Sequence, residues 1–417
     1  MVRGRRPRVV ILGAGYGGLR VALRLSGRWG GRFEVLLIDR CDYHQLVTRL
    51  PEVAAGGISP LEAAVPLAVP LAGRPVRFLQ TTVRALDLGR PAVLTDVGWL
   101  EGDWLVVALG SEPAWPAISG LAQVAFPFRT LSDAVALGER LARGPAPTVG
   151  GDRVVVVGGG FTGVELAAAV AEGYAGRWRV TLVEMAPRLL RGYPDGVARR
   201  ATHILERLGV EVLTGAQVVA ADARGVDLAD GRRLPAGVVV WAGGITAPAV
   251  VRQAGPPLGP DGRVEVAADL ALPDQPAVFV IGDCARVRDP VTGRVVAPSA
   301  QVAVQAAEAV VANIAADWSG GRRRSFRPRL IGEVLALGAH AGLALVDGCL
   351  IAGRAALALK TAALAEYMRT VGGLRLVAGQ WGLAVVRRLW SGWAGPWPTT
   401  QVVARRAASA VATDRGK

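Results

Sequence analysis

Two stretches of the chain repeat one pattern of apolar and polar positions. In the first, Arg8 leads into the apolar run Val9-Val10-Ile11-Leu12, and the loop Gly13-Ala14-Gly15-Tyr16-Gly17-Gly18 follows. An Ala/Leu/Arg-rich segment of helical character comes next, and a second apolar run from Phe33 closes on Asp39. Uninterrupted apolar runs of this length, bounded by glycine turns, predict strands buried on both faces of a parallel sheet. In the second stretch Arg153 leads through Val154-Val155-Val156-Val157 into Gly158-Gly159-Gly160-Phe161-Thr162-Gly163, then an Ala-rich helix, then Arg179-Val180-Thr181-Leu182-Val183 closing on Glu184. The separation from Gly13 to Asp39 is 26 residues, and that from Gly158 to Glu184 is also 26.

Each stretch carries glycines at G-x-G-x-x-G spacing between a strand and a helix, with an acid at the end of the next strand. That is the full context of a dinucleotide-binding unit. Gly13 and Gly158 make the tight turn, Gly15 and Gly160 let backbone approach a pyrophosphate, and Gly18 and Gly163 let helix and sheet pack closely. Asp39 and Glu184 are placed to accept hydrogen bonds from a ribose diol. The expected fold class is therefore α/β, with two Rossmann-like domains, one for a flavin dinucleotide (FAD) and one for a nicotinamide dinucleotide (NADH).

Between and after these units the pattern predicts further elements. Arg77 to Asp96 alternates and reads as a small antiparallel insert. Trp104 to Val107 is a buried strand that ends in the small turn Ala108-Leu109-Gly110-Ser111, and Val238 to Trp241 repeats the motif, ending in Ala242-Gly243-Gly244. Such turns let backbone come close to a cofactor, so Gly110 and Gly243 are candidate binding residues. Helices are expected at Leu131–Leu141 and Pro194–Leu208. A third apolar strand, Ala277 to Ile281, delivers Gly282-Asp283, where Asp283 either bonds flavin ribitol hydroxyls or caps a following helix. His44 is a candidate acid or base, weighed against a loop histidine that satisfies backbone groups. Val334–Ala352 is apolar enough to raise a membrane span, but His340, Asp347 and several glycines favour protein core.

Composition adds a partner class. Hydrophobic residues make up 51% and the mean hydropathy is +0.35, high for a chain carrying two polar cofactors. The formal charge is +14 and the pI about 10.9, which suits nucleic acid or anionic lipid. No helix-turn-helix, finger or RNA-binding motif is present, so nucleic acid ranks last. Cys41, Cys284 and Cys349 are widely separated, which argues against a disulfide framework and for a reducing compartment. The basic start Arg3-Gly4-Arg5-Arg6 enters a strand almost at once, which argues against an export signal. Near the C-terminus Leu383, Val386, Trp390, Trp393 and Trp397 recur every three or four residues beside Arg387 and Arg388. If helical, they form an apolar stripe suited to an anionic membrane surface, to the core, or to a homodimer interface.

With these motifs in this order, and with Pro298-Ser299-Ala300-Gln301-Val302-Ala303-Val304-Gln305 matching an A-Q-x-A-x-Q pattern, the chain resembles the type II NADH dehydrogenases. These are single-subunit NADH:quinone oxidoreductases of the two-dinucleotide-binding-domain flavoproteins. The resemblance implies an FAD domain from 1–115 and 265–330, an NAD(H) domain from 116–264, and a membrane-associating C-terminal region from 331–417. It implies hydride transfer from NADH to FAD, then two electrons to a membrane quinone without proton pumping, on the cytoplasmic face of the cell membrane. By the same likeness Gln301 and Gln305 line the quinone end of the flavin, Ala300 binds the cofactor, and Glu165 sits near the nicotinamide and isoalloxazine. Leu46–Leu50 departs from the family's pattern of an aromatic residue and a Pro-Leu pair. The alternatives are a soluble NAD(P)H-dependent flavin reductase serving an electron-carrier protein and a slow-turnover redox sensor. No residue cluster has metal-ligand spacing.

Overall fold

The computed structural model describes residues 5–145 and 151–390, and for 373–390 the helical backbone alone. The first fingerprint folds as β1 (Arg8–Leu12), α1 (Tyr16–Arg28) and β2 (Glu34–Asp39), followed by β3 (Val76–Gln80) and β4 (Trp104–Val107). The second folds as β5 (Arg153–Val157), α2 (Phe161–Gly173) and β6 (Arg179–Glu184), joined by β7 (Glu211–Thr214) and β8 (Val238–Trp241). β9 (Gln275–Val280) then returns to the first sheet beside β4. The first sheet runs Ala271–Leu272, β9, β4, β1, β2, β3, and the second runs Phe126–Pro127, β8, β5, β6, β7. Every pairing is parallel except that of Ala271–Leu272 with β9.

The apolar runs explain this layout. Val9, Val10, Ile11 and Leu12 are all fully buried, as strands covered by helices on both faces must be. β5 repeats the burial pattern of β1 position by position. The chain crosses between the two sheets twice, and the crossings pair with each other: Glu112–Pro113 lies antiparallel to Ile245–Thr246. Each unit also carries a three-stranded antiparallel sheet, at Val83–Glu101 in the first and Val218–Pro235 in the second.

One expected element changes place. Val76–Gln80 belongs to the main sheet as a parallel edge strand against β2, not to the antiparallel insert. At the edge of the sheet Arg77 and Gln80 are exposed while Val76, Phe78 and Leu79 are half-buried, so the strand lacks the unbroken apolar run of the central strands.

The C-terminal part follows α3 (Ala300–Ser319), which packs on α1 through Arg20 and Arg24, both 2.6 Å from Glu308 Oε1. An antiparallel sheet of β10 (Gly332–Ala336), β11 (Gly342–Val346) and β12 (Cys349–Ala352) comes next, then α4 (Arg354–Trp390). Val334–Ala352 is thus a sheet packed by Leu335, Leu337 and Leu343 onto the core of the second unit, as the core reading expected. Among the described residues no helix is long and apolar enough to cross a membrane. Of the C-terminal stripe, the side chains of Leu383, Val386, Arg387, Arg388 and Trp390 and all of Trp393 and Trp397 lie outside the described residues.

Candidate active site

The two glycine loops share one steric logic. At Gly13 φ is +96°, and a Cβ there would lie 2.3 Å from the Ala108 carbonyl oxygen; at Gly158 φ is +115°, and the Cβ would lie 2.5 Å from the Ala242 oxygen. At Gly18 and Gly163 a Cβ would come within 1.9 Å of the Gly13 and Gly158 oxygens, so helix and turn touch only because both lack side chains. Gly15 and Gly160 differ: a Cβ would meet nothing within 4 Å. The sequence keeps these two positions bare where the protein itself does not demand it, beside helix N-termini whose first amides have no intrahelical partner. That space fits a pyrophosphate.

The acids that end β2 and β6 reach back to the same loops. Asp39 accepts hydrogen bonds from the Ala14 amide at 2.6 Å and the Cys41 amide at 2.8 Å. Burial raises its pKa while those amides oppose the shift. Glu184 accepts from the Gly159 amide at 2.5 Å and the Ala186 amide at 2.7 Å. Each carboxylate therefore holds its loop and keeps further lone pairs able to accept from another donor. Gly110, at φ +71°, has open space around it, whereas a Cβ on Gly243 would strike the Trp241 ring at 2.3 Å. Gly243 is thus glycine because of that ring.

A cleft of about 2380 Å³ joins the units. Its walls include Gly13, Gly15, Asp39, Gly110, Asp283, Ala300, Gln301, Gln305 and Glu165. Gly18 of the first unit, and Gly158, Gly160, Gly163, Glu184 and Gly243 of the second, are not among its walls. At the first strand ends, Asp283 sits in a single 3-10 turn, Gly282–Cys284, and the next helix starts only at Ala300. Asp283 is therefore not the cap of a following helix. It forms an ion pair with Arg129, whose segment is fixed by Gln45: the Gln45 amide donates to the Arg129 carbonyl at 3.1 Å and accepts from the Leu131 amide at 2.6 Å. Burial lowers the Arg129 pKa, so the pair compensates a guanidinium taken largely out of water. Nothing in the local pattern around Arg129 marked it.

The glutamines at the start of α3 each form a closed pair with backbone. Gln301 donates to the Gly332 oxygen at 3.3 Å and accepts from the Ile331 amide at 2.7 Å, while Gln305 does the same with Arg329 at 2.8 Å on both sides. Ser299 caps the helix, accepting from the Val302 amide at 3.3 Å. On the opposite wall Glu165 accepts from the Ala336 amide at 2.8 Å and from Lys360 Nζ at 2.9 Å. That ion pair bolts α4 to α2.

The sequence pattern of the family described as pyridine nucleotide-disulphide oxidoreductase matches residues 7–307. The chain belongs to this family. Within it, the chain is 30% identical over 392 residues to the type II NADH:quinone oxidoreductase of Staphylococcus saprophyticus, covering 89% of this chain and 97% of the relative. It is 32% identical over 363 residues to the demethylphylloquinone reductase of a Synechocystis species, covering 84% and 90%. In fold it is similar to NDH2 of Plasmodium falciparum solved in complex with NADH, with a TM-score of 0.80, 16% identity, and coverage of 92% of this chain and 98% of that one.

Members of a disulphide oxidoreductase family need not carry a disulfide, and the described part of this one carries none. Cys41, Cys284 and Cys349 are all free. Cys284 is buried beneath the Asp283 turn, where its thiol faces the Ile281 oxygen at 3.2 Å and burial pushes its pKa up to about 12. It is a small apolar filler. His44 bonds backbone as expected, but from a short strand, Tyr43–Gln45, paired with Ala64–Pro66, and not from a loop. Because the Ala14 carbonyl can only accept, His44 Nδ1 carries the proton that bonds it at 2.9 Å, and Nε2 accepts from the Tyr367 hydroxyl at 2.9 Å. Burial lowers the His44 pKa to about 4 and raises that of Tyr16, which packs edge-on at 4.9 Å, to about 12. This family member thus ties its first glycine loop to α4 through a neutral imidazole.

Proposed function

We propose that the chain is an FAD-dependent NADH:quinone oxidoreductase, working without proton pumping at the cytoplasmic face of a membrane. The observation that carries this reading is the continuity of the cleft. One cavity runs from the first glycine loop, past Asp283 and the start of α3, to Phe161 and Glu165 at the head of α2 and to Lys360 and Tyr367 on α4. A cofactor seated along the first unit is thereby exposed at one flank to a ligand of the second unit and at another to a ligand entering beside α4. When bound, the flavin supplies hydride acceptance and two-electron quinone reduction.

The chain's own residues supply binding and orientation. We assign FAD to residues 1–115 and 265–330, with Gly13, Gly15 and Gly18 shaping the pyrophosphate seat, Asp39 taking the ribose, and Gly110, Asp283 and Ala300 meeting the rest of the cofactor. NADH goes to residues 116–264, with Gly158, Gly160 and Gly163 at its pyrophosphate, Glu184 at its ribose and Gly243 shaping the turn beside it. A carboxylate at that ribose disfavours a 2′-phosphate, hence NADH over NADPH. Arg188 is committed elsewhere, donating to the Leu190 and Arg191 carbonyls and pairing with Asp195 at 3.2 Å. Glu165 borders the nicotinamide, and Gln301 and Gln305 border the quinone. Residues 331–417 form the membrane-associating region, the use of the apolar stripe we favour over a homodimer interface.

Anaerobic stopped-flow tests the reading. NADH should bleach the flavin absorbance at about 450 nm and a quinone should restore it, as the family's cofactor chemistry requires. A colourless protein that takes up no FAD would refute the assignment.

A further inference from the structure

Between Asp317 and Glu333 the chain contains no acid and five arginines: Arg322, Arg323, Arg324, Arg327 and Arg329. This segment has no regular secondary structure, yet it is stapled along its length. Arg323 turns inward, bonding Asp317 at 2.7 Å and Asp269 at 2.9 Å with its guanidinium 4.9 Å from the Phe279 ring centre. Phe326 is buried and its amide bonds the Ala268 oxygen at 2.6 Å. Gln305 and Gln301 then clamp the backbone of Arg329 and Ile331. Between these staples Arg322, Arg324, Arg327 and Arg329 are exposed, and none of the four guanidinium groups bonds another described residue. Immediately after them Leu330 and Ile331 are 49% and 63% exposed, and Ile331 is also a wall of the cleft.

We propose that this strip, Arg322 to Ile331, is a docking surface for an anionic lipid bilayer, distinct from the helical stripe near the C-terminus. The proposal rests on the quinone reading of the cleft. Four guanidinium groups carried on a stapled backbone, with no internal counter-charge, match a layer of lipid phosphates. The two apolar side chains at the end of the strip gain by entering the acyl boundary, which a nucleic acid does not offer. The strip also presents no exposed aromatic on which bases could stack, since its one ring, Phe326, is inside. Because α3's glutamines hold this strip, its docking sets the cleft mouth against the layer in which a hydrophobic quinone dissolves.

The test is co-sedimentation of the full-length holoprotein with vesicles of phosphatidylglycerol and phosphatidylcholine. Replacing Arg322→Gln, Arg324→Gln and Arg327→Gln together should weaken binding roughly a hundred-fold at low ionic strength. It should slow NADH oxidation by a long-chain quinone dissolved in those vesicles, while turnover with a water-soluble quinone stays unchanged. A control with the exposed Arg199→Gln, Arg200→Gln and Arg207→Gln on the helix Asp195–Arg207 of the second unit should bind within about three-fold of the parent. Equal sedimentation of parent and strip variant would overturn the proposal, as would an equal loss in the control. Binding of single-stranded RNA in preference to vesicles, abolished by the strip variant, would also overturn it. If the parent reduces no quinone in either form, the functional reading falls, and sedimentation still decides whether the strip binds lipid.

Discussion

A missing Cβ has opposite reasons at neighbouring glycines, and the difference is measurable. Gly18 is bare because the Gly13 carbonyl occupies its space, whereas Gly15 is bare with nothing within 4 Å. Gly18→Ala should therefore destabilise the apoprotein itself, by roughly 1–3 kcal/mol of overpacking. Gly15→Ala should leave the apoprotein's unfolding midpoint unchanged and raise the Kd for FAD about ten-fold, a loss near 1.4 kcal/mol of cofactor affinity. An unchanged Kd in Gly15→Ala, from titration of the apoprotein with FAD, would move the pyrophosphate elsewhere. His44 makes a second residue-scale claim. Its folded pKa of about 4 lies below the unfolded value near 6.5, so acid protonates the unfolded chain first. The stability tied to its neutral form is whole above about pH 6.5, drains as pH falls toward about 4, and amounts to about 3 kcal/mol. Urea titrations across that window should show a shallower slope for His44→Gln than for the parent. Parallel slopes would mean that the native imidazole is already charged.

At the scale of elements, the start of α3 is where structure and chemistry meet most closely. Gln301 is both a wall of the cleft and the clamp on Ile331 and Gly332. Gln301→Ala should slow reoxidation of the flavin by quinone roughly ten-fold, the effect of about 1.4 kcal/mol, and leave its anaerobic reduction by NADH within about two-fold. Equal loss in both half-reactions would remove it from the quinone side. The two fingerprints were legible in the sequence because everything that makes them is local: strand, turn, helix and acid lie within about 30 residues and obey fixed spacing. The partners of the site residues were not. Arg129 meets Asp283 across 154 positions, Lys360 meets Glu165 across 195, and Tyr367 meets His44 across 323. No periodicity reports such pairs, since each depends on how separate elements are brought together. The glutamines were found by motif, but the motif could not reveal that their amides are paired with a segment far down the chain. Val76–Gln80 was misassigned for a related reason: its mixed polar and apolar residues suit either kind of sheet, and its neighbour in the sheet decided its meaning.

Across the whole molecule, the second unit and α4 are joined at the cleft by one buried ion pair. Glu165 and Lys360 keep 8% and 18% of their side chains exposed, and Glu165 Oε1 takes both the ammonium and the Ala336 amide. Such a pair adds little net stability over an apolar pair of the same shape, but breaking it leaves an uncompensated charge. Lys360→Met should therefore cost about 3 kcal/mol, and Glu165→Gln with Lys360→Met should recover most of that loss. Among the described residues the same contact is one of two side-chain hydrogen bonds that tie α4 to the rest of the chain, the other being Tyr367 on His44, so the single variant should also loosen the helix from the cleft. Trypsin would then cut first at Arg354 or Arg369, releasing the C-terminal region faster than in the parent or the double variant. If the double variant is as unstable and as readily cut as Lys360→Met, charge compensation is not what Lys360 contributes, and the helix is held by the Tyr367–His44 hydrogen bond and the packing of Ala356, Met368 and Val371.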